Sequence, residues 1–115
     1  MAYNEYLAER IKQVFARKGI DTVEKKMMGG ICYMVNDKMC AGVIQDRLMA
    51  RLDPDIYEEA LNKNACRPMD FTGKTMKGFV FVEAEGIDLD EDLEAWIQLC
   101  LDYNPKAKSS KKKIS

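Results

Sequence analysis

The chain has 115 residues, 47% hydrophobic and 32% charged, which suits a single globular domain with one core and excludes a disordered or fibrous chain. Its formal net charge is −1, and no apolar run reaches the ~20 residues that a membrane span requires. The acidic, amphipathic N-terminus lacks the basic-then-apolar layout of a signal peptide, so a cytoplasmic location is expected. Tyr3–Lys18 reads as the first helix, because Leu7, Ile11, Val14 and Phe15 recur at i, i+4, i+7 and i+8 as one apolar stripe. Gly19 follows where a left-handed residue ends a helix, and Arg17 and Lys18 suit the negative end of its dipole.

From Val23 to Leu52 the pattern changes to short extended runs separated by tight-turn signals. Val23–Met28 leads to a bend at Gly29-Gly30. Ile31–Val35 and Met39–Ile44 then flank Asn36-Asp37, residues that tolerate the positive φ of a two-residue hairpin turn. Gln45-Asp46-Arg47 turns the chain into Leu48–Leu52. Both faces of this meander are apolar, with Ile31, Tyr33 and Val35 on one side and Cys32 and Met34 on the other. The second face is too apolar to leave to water, so helices on both sides, a second copy of the chain or another protein is expected to cover it.

Asp53-Pro54 opens a second helix, with Asp as N-cap and Pro at the first helical position, and it ends near Asn62–Asn64. Its inner face is Ile56, Ala60 and Leu61. Ala65–Lys77, broken by Pro68 and Gly73 and followed by Gly78, reads as a long loop with room for a short edge segment. Phe79–Glu83 is the last strand. Asp88 or Asp90 caps a final helix with the stripe Leu89, Leu93, Trp96, Ile97, Cys100 and Leu101, and Asn104-Pro105 stops it. The expected fold is α+β: a two-layer antiparallel sheet of about five strands packed with helices, in the order α-β-β-β-β-α-β-α.

Lys26-Met27-Met28-Gly29-Gly30-Ile31, then Tyr33–Met39, then Arg47-Leu48-Met49-Ala50-Arg51-Leu52-Asp53-Pro54, resemble the TfoX/Sxy N-terminal domain family. Phe71–Val80, with Gly73, Met76 and Gly78, and the acidic last helix with Trp96 extend the resemblance to about Tyr103. Met28 stands where an aromatic is usual, and Asp37 where the hairpin often has glycine. The resemblance implies the two-layer fold of these domains, similar to secretion-chaperone-like folds. It also implies that Lys26, Met27, Gly29, Gly30, Arg47, Arg51, Gly73, Met76, Gly78 and Trp96 are its family-motif residues. Full-length relatives regulate natural competence with a cyclic-AMP-type transcription factor and carry a C-terminal helical domain. The expectation here is a stand-alone N-terminal domain, residues 1–104, followed by a disordered lysine-rich tail, 105–115.

The chemistry-bearing residues point away from catalysis. There is no histidine, so the usual base of serine or cysteine hydrolysis and any mixed Cys–His zinc site are both excluded. Cysteines 32, 40, 66 and 100 form no C-x-x-C pair and are expected as four reduced, mostly buried thiols. A two-residue turn at Asn36-Asp37 sets Cys40 opposite Tyr33 and Cys32 opposite Ala41, on opposite faces, which forbids a disulfide between them, whereas a three-residue loop would put both on one face. Gly73-Lys74-Thr75 echoes a phosphate loop, but Pro68 replaces its first glycine and a strand follows. Asp88, Asp90 and Asp92 have calcium-loop spacing, but Leu93 and Leu99 replace the required glycine and glutamate. No metal or cofactor is expected.

What remains is a small non-enzymatic domain that binds an unknown protein or acts as a transcription-regulatory accessory, with a second copy of itself as one candidate partner. Two alternatives stand beside it. Five of the 18 basic residues are lysines in the tail, leaving 13 against 19 acids, a body near −6; a nucleic-acid accessory would use that tail with Lys25, Lys26, Lys74 and Lys77. A small-ligand binder would centre on Arg51, which lies inside an extended run where it meets an acid or a bound anion, and on the Gly29-Gly30 bend.

Overall fold

The computed structural model describes residues 3–27, 29–71 and 74–107, and for residues 27, 70, 71 and 74–77 only the backbone. Six strands form one antiparallel sheet: β1 (Val23–Met27), β2 (Gly30–Val35), β3 (Lys38–Ile44), β4 (Arg47–Arg51), β5 (Cys66–Phe71) and β6 (Lys74–Val82). Their spatial order is β1-β2-β3-β4-β6-β5, so the first four strands lie side by side in chain order and β6 inserts between β4 and β5. Short hairpins make that order inevitable for β1 to β4. Asn36 and Asp37 both take positive φ (53° and 65°), the two-residue turn that the sequence predicts, and Gly29 bends the chain at φ 77°.

Among the described residues, three α-helices accompany the sheet: α1 (Glu5–Arg17), α2 (Tyr57–Leu61) and α3 (Asp90–Tyr103). All three bury their apolar stripes on the same side of the sheet. Leu7, Ile11, Val14 and Phe15 of α1 meet Tyr33, Val43 and Leu48, together with Leu93, Ile97 and Cys100 of α3. The fold is α+β. Tyr33 Oη donates to the Ala8 carbonyl at 3.0 Å, which satisfies the one polar atom that this aromatic takes into the core. Arg10 locks α1 to the start of α3, donating to the carbonyls of Ile87 (2.8 Å) and Asp88 (3.2 Å) and to the Asp90 carboxylate (3.1 Å).

Several sequence expectations need correction. The α+β fold and antiparallel sheet are as expected, and the described sheet has six strands against the expected five or so, because the short edge segment allowed within Ala65–Lys77 is a full strand, Cys66–Phe71, and Lys74–Lys77 lengthens β6. Pro68 misleads there: a proline is tolerated on β5 because an outermost strand has one side without ladder bonds. The β2–β3 register contains a bulge, so Tyr33 pairs with Ala41 and Cys32 with Gly42, with Cys40 as the extra residue. The two cysteines still face opposite sides, Cys40 in the helix-covered core and Cys32 beneath the sheet.

Neither Asp88 nor Asp90 caps α3. Leu89 holds the N-cap position without a side-chain bond and is 55% exposed, while Asp90 sits inside the first turn and turns to Arg10. The described chain also continues past Asn104 as a 3-10 turn, Asn104–Lys106, and buries Ala107. The rest of the lysine tail, 108–115, lies outside the described residues, as does Gly73.

Candidate binding face

Strand alternation sends Leu48 and Ala50 of β4 into the helix-covered core and Arg47, Met49 and Arg51 to the opposite side. There a second apolar cluster forms from Cys32, Met34, Met49, Met69 and Phe81, with Met39, Ile44 and Phe79 partly buried around it. Every one of these residues comes from a strand. No helix among the described residues contributes to this cluster; the last residue of α3, Tyr103, reaches only its edge, at Arg51. The methionines in the middle of the face, Met34, Met49 and Met69, are buried, and only its rim is partly open.

Two features explain burial without a helical cover. Gly42 stands opposite Met49, and a Cβ built on it would come within 2.8 Å of Met49 Cε, so the methionine lies down over the bare backbone. Guanidinium groups then cover the aromatic rings. Arg47 stacks on Phe81 at 4.1 Å and Arg51 on Phe79 at 5.3 Å, and Arg51 is also 6.0 Å from the Tyr103 ring. Arg47 Nη2 reaches Gln45 Oε1 at 3.5 Å, but its Nε is buried with no hydrogen-bond partner among the described residues.

The family-motif residues do not converge on one point. Arg47 and Arg51 share the second face. Lys26 lies on the exposed edge strand opposite Ile31, and Met27 opposite Gly30. Gly29 makes the bend, and Gly30 begins β2 where a Cβ would collide with the Val43 carbonyl. Met76 lies within β6. Gly78 takes φ +92° while its carbonyl accepts from the Leu52 N–H at 2.6 Å, a position at which a side chain is strained. Trp96 is buried in the helical layer, on the other side of the sheet. Arg67, Met69 and Phe81 were missed as members of the face; the alternation of Phe79 and Phe81 was visible, but reading Ala65–Lys77 as a loop hid their neighbours.

Among the described residues, hollows of about 140 to 330 Å³ lie on the helical side, and Arg51 lines none of these. One of 230 Å³ has Trp96, Leu99 and Lys63 in its walls. Among the described residues no group of three or more Cys, Asp or Glu is placed to hold a metal ion, and no helix is long and apolar enough to cross a membrane. All four cysteines are free and buried. Burial pushes the Cys66 thiol up to about 11 and raises Cys32. Cys100 is raised by its hydrogen bond with Cys40 and by burial.

A one-sided helical layer on an antiparallel sheet, with a methionine, phenylalanine and arginine face beneath, defines a small two-layer α+β domain with a single uncovered face. The chain belongs to the TfoX N-terminal domain family, whose model matches residues 15–103. A comparison with the curated proteins returned no match, and neither did one with the solved structures.

Proposed function

We propose that this domain is a non-enzymatic, cytoplasmic accessory module that binds another protein, in keeping with the regulatory role of the competence regulators in its family. The observation that carries this reading is the second apolar cluster, which is built from strand residues alone on the side of the sheet away from the main helical core. Methionine-rich surfaces suit such a role, since unbranched, polarizable side chains repack against varied partners. The sequence has no histidine, the usual base of hydrolytic catalysis, which favours a binding reading over that chemistry. The test is photo-crosslinking in cells, with the crosslinker at Met39 on the rim of the face or at Gln13 on exposed α1. Heteromeric adducts from position 39 and none from position 13 are expected. Adducts from position 13 alone would place the interaction on the helices and overturn the reading.

A further inference from the structure

The charges around the second face specify its partner's chemistry, an inference that rests on the protein-binding reading above. The strand registers align one residue from each strand in a row across the sheet: Lys25, Cys32, Gly42, Met49, Phe81 and Arg67. Its two ends are exposed cations, and its middle is apolar and almost fully buried, with Cys32 and Met49 at 0% and Phe81 at 5% exposure. Five strand spacings make the row about 24 Å long, the length of roughly 16 helical residues. Arg47, beside the row, has a buried Nε with no partner among the described residues, a donor that a carboxylate would satisfy. Among the described strand side chains no carboxylate faces this side; Glu24 is on the helix side, 3.5 Å from Lys12.

We infer that the second face docks an acidic segment of another protein, with apolar residues in its middle and carboxylates toward both ends. The apolar residues rest on Met39, Ile44 and Phe79, the partly open rim of the buried cluster, and the carboxylates meet Lys25 and Arg67. A second copy fits worse, because a twofold contact through this face sets its cations against the same cations of the copy. Single-stranded nucleic acid also fits worse. Base stacking needs a bare ring, and Phe81 is buried under Arg47.

The test is fluorescence anisotropy with the full chain and three labelled probes. They are a helical peptide of about 16 residues with a leucine-rich middle and glutamates at both ends, a matched peptide with lysines at the ends, and a single-stranded oligonucleotide. The glutamate-ended peptide is expected to bind at least about tenfold more tightly than the lysine-ended one, and Lys25→Glu and Arg67→Glu are each expected to weaken it about fivefold or more. Both side chains are exposed, so neither change threatens folding. Equal binding of the two peptides, or indifference to both substitutions, overturns the charge inference; if Met39→Glu then abolishes both peptides, the protein-binding face stands without it. Tighter, Arg67-dependent binding of the oligonucleotide overturns both readings. No binding of the glutamate-ended peptide at about 1 mM overturns the inference, and crosslinking at position 39 then decides the broader reading.

Discussion

The two faces of this sheet share the same strands and solve burial differently. On one face, helices α1, α2 and α3 close over Tyr33, Val43, Leu48 and Val82, a core held from both sides. On the other, Met49 reaches zero exposure by lying on Gly42, and Phe81 is buried beneath a stacked guanidinium. The difference teaches that low exposure does not by itself mean rigid packing. A side chain with a helix above it has nowhere to go, whereas one covered by flexible neighbours keeps its freedom to rearrange around a partner.

Adjacent residues of β4 make the sharpest comparison. Leu48→Ala, under the helices, is expected to cost about 3–5 kcal/mol in urea unfolding, and Met49→Ala about 2 kcal/mol, because the open face collapses more easily into the vacated space. Equal costs would show that both faces are equally fixed. Gly42→Ala comes next, at about 1–3 kcal/mol, since its Cβ would lie 2.6 Å from the Ile31 carbonyl as well as against Met49 Cε. Adding Met49→Ala should relieve only the side-chain part, so full rescue in thermal melts would contradict this account of the notch.

On the helical side, Arg10→Ala should cost about 1–2 kcal/mol by removing its bonds to the Ile87 and Asp88 carbonyls. The Asp90 ion pair adds little, because the carboxylate is exposed. Peptide binding to the second face should not change, and a loss there would mean that the two faces are coupled.

A smaller effect is expected in alkaline solution. The thiols of Cys32, Cys66 and Cys100 are raised in the folded state, so their neutral forms contribute stability that is complete below 9.0. It declines as pH rises, for Cys66 through the window from 9.0 to about 11. Unfolding midpoints across that range should fall in wild type and fall less in Cys66→Ser, and identical slopes would remove Cys66 from the explanation. Smallest of all is Arg67→Glu, expected to change stability by no more than about 0.5 kcal/mol. A larger loss in the same unfolding assay would mean that Arg67 holds the sheet together and is not a free-standing anchor for a partner.

Much of the fold was legible because its signals are local. The stripe in α1, the Asn36-Asp37 turn and the Asp53-Pro54 start each depend on a few neighbouring residues; the first two form as read, and Asp53 caps a 3-10 turn, Pro54–Ile56, that leads into α2 at Tyr57. Asp53 accepts from the Asp55 N–H at 2.9 Å, as an N-cap should. What escaped depends on residues far apart in the chain. The Cys40 bulge appears only once β2 and β3 are paired, and β5 is a strand because β6 supplies its ladder, against the local message of Pro68. Leu89 fits an apolar stripe by spacing, yet the turn before α3 leaves it in water. The second face was legible as an apolar pattern but not as a charged one, because Lys25 and Arg67 become its two ends only when the strand order is known.

Asn104 gives the domain an order of assembly. Its side-chain amide donates to the Val35 carbonyl, 69 residues back, while Lys38 donates to the carbonyls of Asn104 and Pro105. During synthesis the β2–β3 hairpin can close as soon as Ile44 has emerged, but its end is fastened only after nearly the whole described chain has been made. Until then the early strands carry apolar surface on both sides with neither α3 nor this clasp in place, a state prone to association. We therefore expect nascent chains that stop before Asn104 to need a chaperone and to be cut rapidly by protease, and those that extend past Ala107 to resist. A ribosome-bound truncation series would show the step, and resistance appearing already at β4 would mean that the meander stands unaided.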